Sequence, residues 1–245
     1  MILGGNKIYK VSQNNLFNNL NGKNYFYNLI TLKPNTKFNI DSKKHFCLLN
    51  LSKTKYLIEH KKNKKYIFDQ VVISKNCKVS LQSQKPISLL FCGKISNSKS
   101  SSIVFKNRDK IYKVENPWGN ELWINKGSKK FGFKEIFIKK GFKTSLQFHK
   151  FKTETNFIFS GKCKLYYSLK SPKKFNPALI KTKILNKFNS IFVKPNTIHR
   201  IEALTNIKLF EVSTPNLSDV IRLKDDSNRP SGKIKSEHKK NNLKN

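Results

Sequence analysis

Short runs of Val, Ile, Phe, Tyr and Leu alternate with clusters of Asn, Gly, Pro and Lys along both halves of the chain. That is the pattern of half-buried β-strands closed by turns. A long amphipathic helix is not predicted; the one helical candidate is a short piece over Asn14–Gly22, NNLFNNLNG. The strand pattern also repeats. FDQVVISKNCKVSL at Phe68–Leu81 aligns without a gap on FNSIFVKPNTIHRI at Phe188–Ile201, and the same offset lays Pro86–Gly93 on Asn206–Ser213. Upstream, Asn28–Ile40 resembles Glu135–Leu146, and Ser52–Ile58 resembles Gly161–Tyr167. Such self-similarity predicts two copies of one β-rich unit. Polar SNSKSSS at Ser96–Ser102 reads as a linker, Ser171–Pro177 opens a longer loop, and the tail is expected to be disordered beyond Arg229. The predicted division is therefore a first domain over 1–95, a linker over 96–112, a second domain over 113–224 and a basic tail over 225–245.

Composition changes this picture little, and charge changes it in one respect. With 245 residues, 37% of them hydrophobic, the chain can fill one or two cores. A net charge of +36 argues at face value for a polyanion partner. The charge is almost all lysine, however, spread along the chain beside abundant Asn and Ile, as an AT-rich coding sequence would give. Only Arg108, Arg200, Arg222 and Arg229 are arginines. Because no RNP signature, zinc finger or helix-turn-helix accompanies the charge, nucleic acid is not the expected partner. An anionic small molecule, a sugar phosphate or a nucleotide sugar, is. Cys47, Cys77, Cys92 and Cys163 lack C-x-x-C spacing and read as reduced core residues. MILGGNKIYK has no apolar leader segment and no run approaches a membrane span, so a soluble, cytoplasmic protein without membrane contact is expected.

Candidate chemistry concentrates between Gly141 and Gly161, in GFKTSLQFHKFKTETNFIFSG. Gln147 and His149 are two apart, so on a strand they share a face, and Glu154 would open the next strand. His199 follows in SIFVKPNTIHRI. Two of only five histidines thus fall in strand-like runs beside a spaced carboxylate and amide. Gln147, His149, Glu154 and His199 suit a divalent transition metal, zinc first, with iron, manganese, cobalt or nickel as alternatives. The competing reading is a pair of core histidines. In the first copy Val79 takes the place of His199, Asp41–Phe46 offers no paired ligands, and His45 and His60 read as a solvated loop residue and a basic turn.

The spacing G-x5-Q-x-H-x4-E-x6-G resembles the first cupin motif, and Ser190–Arg200 resembles the second. Phe188 and Asn196 stand where glycines are usual, and Lys194 where proline is usual. Pro117–Ile124, Ser145–His149, His199–Glu202 and Phe210–Asp226 together look like the cupin domain of type II mannose-6-phosphate isomerases and their stand-alone relatives. The resemblance implies an all-β bicupin: two double-stranded β-helix (jelly-roll) barrels, the N-terminal one degenerate. It also implies metal-dependent interconversion of an aldose phosphate and a ketose phosphate, with Glu211 as base. Arg222 is the expected phosphate ligand, with Lys152 as the alternative; Arg200 should face away from His199, and Trp118 should pack across a barrel end. A homodimer is a further expectation. Two departures weaken the specific activity: Glu135 stands where relatives carry a basic residue, and the nucleotidyltransferase domain of many relatives is missing from this sequence. The alternatives are an enzyme acting on another activated sugar, an Fe(II)-dependent oxygenase and a sugar-binding domain without turnover.

Overall fold

A computed structural model of the chain describes residues 2–3, 6–10, 25–96 and 100–234. The short helix expected over Asn14–Gly22 lies outside the described residues. The described chain forms two compact units, each built from two antiparallel sheets.

One unit comprises Val11–Tyr112 and Trp123–Phe133. Its five-stranded sheet runs in the order Ser102–Asn107, Gln70–Lys75, Lys44–Asn50, Ile87–Ile95, Phe26–Leu32. Its four-stranded sheet runs Phe38–Ile40, Val79–Gln82, Tyr56–His60, Asn63–Ile67. Alternation along each strand sends one set of side chains inward. Phe46, Leu48 and Phe91 from the larger sheet meet Tyr56, Ile58 and Leu81 from the smaller. Each such burial contributes about 1.5–3 kcal/mol. Val79 packs in this apolar cluster at the position equivalent to His199. This copy has kept its core and carries no ligand set at that place.

The second unit comprises Met1–Lys10, Lys113–Leu122 and Lys134–Asn245. Its eight-stranded sheet places Glu154–Ser160 between Asn189–Val193 and Ile207–Ser213. The facing six-stranded sheet places Ile198–Ala203 between Cys163–Ser168 and Leu146–Phe148. Ile138, Ile158, Val193 and Leu209 pack against Leu165, Leu185 and Ile201 to close the core. Both units are jelly-roll sandwiches, as the duplication predicts. Matched turns carry the same backbone: Asn76 and Asn196 both adopt left-handed conformations, with φ of 49° and 60°.

Four local expectations need correction. The linker over 96–112 is interrupted by the strand Ser102–Asn107, which pairs with Gln70–Lys75; Ile103 and Phe105 alternate onto the first core, so this stretch is structural sheet. Residues 97–99 lie outside the described set. At the N-terminus, Asn6–Lys10 pairs with Asn189–Val193 and so joins the second unit's sheet instead of the domain over 1–95. The tail over 225–245 does not begin at 225: Arg229 donates to Asp225 at 2.8 Å, and Gly232–Lys233 pairs with the strand Ile221–Lys224. Its remainder, 235–245, is outside the described residues. His45 is no solvated loop residue, because it lies within the strand Lys44–Asn50 and is only 8% exposed. All four cysteines are buried and free, and the loop opened by Ser171–Pro177 folds into two short 3-10 turns at Pro172–Lys174 and Pro177–Leu179.

Candidate metal centre

The first motif is a strand, a tight loop and another strand. Leu146 and Phe148 face a small apolar cluster with Ile198, which turns the intervening Gln147 toward the second unit's interior cavity. His149 follows on the same side. The loop after it is held by Asp219, whose carboxylate accepts the backbone N–H groups of Lys150, Phe151 and Lys152. The Asp219 carbonyl also accepts a hydrogen bond from His149 Nδ1. Glu154 then opens its strand between Val193 and Ser213. From the facing sheet, His199 pairs in register with Gln147, and its Nδ1 donates to the Thr197 carbonyl at 3.0 Å.

The ligand atoms of His149, Glu154 and His199 lie within 4.8 Å of one another, all buried. His149 Nε2 is 3.4 Å from Glu154 Oε2, and His199 Nε2 is 3.1 Å from Glu154 Oε1. Since carbonyls accept at both Nδ1 atoms, each ring turns its Nε2 toward a carboxylate oxygen. A metal ion among these atoms would take both ring nitrogens and the carboxylate as ligands. His149 Nε2 is also buried without a hydrogen-bond partner among the described residues. An orphaned ring nitrogen converging with a second imidazole on one buried carboxylate fits a divalent cation, and the bonds from Nδ1 to carbonyls are the usual means of orienting metal-binding histidines. Burial lowers the pKa of His149, as does Lys152, so this imidazole is neutral near neutral pH and ready as a ligand.

Lys152 is the largest departure from expectation. Instead of reaching for a substrate phosphate, its ammonium is buried 2.6 Å from Glu154 Oε2 and 3.1 Å from Glu211 Oε1. Burial favours its neutral form, yet the two carboxylates outweigh that and raise its pKa. Burial likewise pushes Glu154 upward, but Lys152 and then His149 hold it well below the ordinary carboxylate range. Glu211 lines the same cavity, with its side chain on the inward face of its strand.

The cavity measures about 80 Å³. Gln147 lines it, with its Oε1 accepting from Ser145 Oγ at 2.7 Å. Arg222 also lines it but is committed to the chain, donating to the Pro230 carbonyl at 3.0 Å beside Asp225. Arg200 points elsewhere, as expected, to the Thr144 carbonyl and Asp226. Trp118 both packs in the core and lines the cavity. Sequence reasoning missed Lys134, paired with Glu121 at 2.9 Å in the cavity wall, and Asn156, which donates to Glu154 Oε1 at 2.9 Å. Both were findable by strand parity: Lys134 alternates with the inward Ile136 and Ile138, and Asn156 is two residues from Glu154.

Residues 105–225 match the family described as "Mannose-6-phosphate isomerase C-terminal". No curated protein matches the chain. Among solved structures, an IolB-like protein from Salmonella typhimurium LT2 is similar with a TM-score of 0.65 at 11% identity, over 79% of this chain and 84% of that one. Oxalate decarboxylase from Lactobacillus farciminis, in a formate complex, gives a TM-score of 0.63 at 9% identity over 81% and 79% of the two chains. The Bacillus subtilis oxalate decarboxylase, whose structure is described for its Mn(II) centres, gives 0.62 at 11% over 82% and 71%. At such identities these structures speak for the fold alone. Taken together, the comparisons give this chain the fold of two cupin-like jelly-roll units, with residues 105–225, the stretch that carries the ligand motif, similar to the mannose-6-phosphate isomerase C-terminal family.

Proposed function

We propose that this chain is a metal-dependent isomerase of phosphorylated sugars, acting by a proton shift between adjacent carbons. The observation that supports it most is the placement of Glu211, a buried carboxylate that lines the same cavity as Glu154 and His199 of the ligand cluster. A divalent metal would be held by His149 Nε2, Glu154 and His199 Nε2, and when bound would supply polarisation of the substrate carbonyl. Zinc is the first candidate, with iron, manganese, cobalt and nickel as alternatives. Glu211 takes the proton from the carbon beside that carbonyl and returns it to the former carbonyl carbon, while the hydroxyl proton of the deprotonated carbon passes to the former carbonyl oxygen. Lys152, bonded to Glu211 Oε1, orients the carboxylate and leaves Oε2 for the proton. Arg222 and Lys134 add positive charge to the cavity wall, which suits an anionic substrate, and Asn156 fixes Glu154.

The test is solvent-deuterium incorporation beside the carbonyl of mannose 6-phosphate, fructose 6-phosphate and a panel of nucleotide sugars. Glu211→Gln should keep its metal and lose about a hundredfold to ten-thousandfold in rate. Absence of exchange with every substrate in metal-replete protein would defeat the isomerase reading.

One observation favours a second reading. At about 80 Å³ the cavity is smaller than the roughly 300–1,000 Å³ of usual ligand pockets, and it suits a small acid or dioxygen better than a whole hexose phosphate. Two histidines and one carboxylate are also the set that holds Fe(II) in oxygenases. Oxygen consumption by the iron-loaded protein, with no sugar exchange, would establish that alternative.

A further inference from the structure

The N-terminal unit, which shows no metal-ligand cluster among its described residues, carries a second cavity of about 460 Å³ on the opposite face of its larger sheet. Phe46, Leu48 and Val72 point into the core. The alternate residues His45, Cys47, Ile73 and Lys75 therefore line the other side. Over them lies the loop Asn125–Phe131, which brings Lys126, Lys129 and Lys130. This loop is fixed rather than loosely draped. The buried Asn125 amide donates to the Phe131 carbonyl at 2.8 Å and accepts from the Phe133 N–H at 2.7 Å. Ser128 N–H returns to the Asn125 carbonyl at 3.0 Å, and Gly127 makes the turn with φ of 83°. Lys126 is held 3.4 Å from the centre of the Tyr112 ring.

Charge in this cleft is of one sign. Lys75 stands opposite His45 in one neighbouring strand and Lys94 in the other. No carboxylate lines the cavity among the described residues. At its base His45 Nε2 is buried with no hydrogen-bond partner among the described residues. A fixed cationic loop above an unpaired buried ring nitrogen leaves ligand-binding capacity unused within the chain.

We propose that this cleft is a second ligand site, taking a small phosphorylated molecule whose phosphate lies between His45 and the lysines at positions 75, 129 and 130. The volume falls within the usual range for small-molecule pockets and encloses a molecule rather than a polymer. Lysines act as point charges toward phosphate, and several together match a dianion better than a single carboxylate. The assignment does not rest on the chemistry of the other cavity.

The experiment follows the histidine Cε1–H resonances of the full chain as inorganic phosphate replaces chloride at constant ionic strength. The His45 signal is identified by its loss in His45→Gln. It should move saturably with phosphate. In the double variant Lys129→Gln, Lys130→Gln, whose altered side chains are exposed, the dissociation constant should rise about tenfold or more, since charge-assisted hydrogen bonds are lost. His149→Ala should leave the response unchanged. A His45 signal that moves only linearly with phosphate, an affinity unaltered in the lysine double variant, or a response abolished by His149→Ala would each overturn the assignment.

Discussion

Lys152 sits in the second unit's interior as a resident cation, and its removal separates two roles of charge there. Lys152→Met leaves Glu154 and Glu211 buried without their shared partner. Breaking a buried ion pair on one side typically costs about 3–5 kcal/mol, so the metal-free variant should unfold at clearly lower urea. Saturating divalent metal should restore a larger increment of stability to Lys152→Met than to the parent, because the ion then neutralises Glu154. Equal increments would mean that Glu154 is not a ligand. The same residues set a pH dependence. Glu154 has a depressed folded value, so its contribution is present in full above the ordinary carboxylate pKa of 4.5 and is lost as pH falls through the lower folded value. Glu154→Gln should accordingly flatten the acid limb of a plot of unfolding free energy against pH. At this scale the ligand spacing of His149, Glu154 and His199 was legible, because strand parity and the framing glycines are local. The ammonium between two glutamates was not, since Glu211 reaches Lys152 only through strand pairing across 59 residues. Asp219 was hidden for the same reason: its partners are backbone N–H groups 67 to 69 residues away.

Elements in the second unit are fixed by turns that aim the ligands. The Asn196 N–H donates to the His149 carbonyl at 2.6 Å, joining the two motif loops, and its φ of 60° demands a left-handed residue. Asparagine tolerates that conformation where alanine does not. Asn196→Ala should therefore lose about 1–2 kcal/mol in urea denaturation and weaken metal binding, while Asn196→Gly should cost little. If both variants were equally stable, the turn would not be setting the geometry. Gly161 is tighter still: its φ is 87°, and a Cβ there would lie 2.4 Å from the Asn206 carbonyl oxygen. Strands were readable from short apolar runs bounded by turn residues. The strand Ser102–Asn107 was misread because its serine-rich approach masks the alternation of Ile103 and Phe105, which only the first unit's core reveals.

For the whole molecule, the duplication was readable because matched strands and turns recur at one offset, and it gave the two-unit architecture before any coordinates. Unit boundaries were not readable in the same way. Strand pairing reaches across the sequence, so Asn6–Lys10 joins the second unit's sheet and Trp123–Phe133 belongs to the first unit. No helix among the described residues is long and apolar enough to cross a membrane. With Val79 in the place of His199, the account is asymmetric: among the described residues the candidate ligand cluster lies in the second unit alone.

That asymmetry is tested most directly by the metal content of the purified full chain, measured by mass spectrometry after loading and dialysis in parallel with His149→Ala and His45→Gln. The account predicts one divalent metal per chain in the parent and in His45→Gln, and none retained in His149→Ala. Metal lost with His45 and kept without His149 would contradict it.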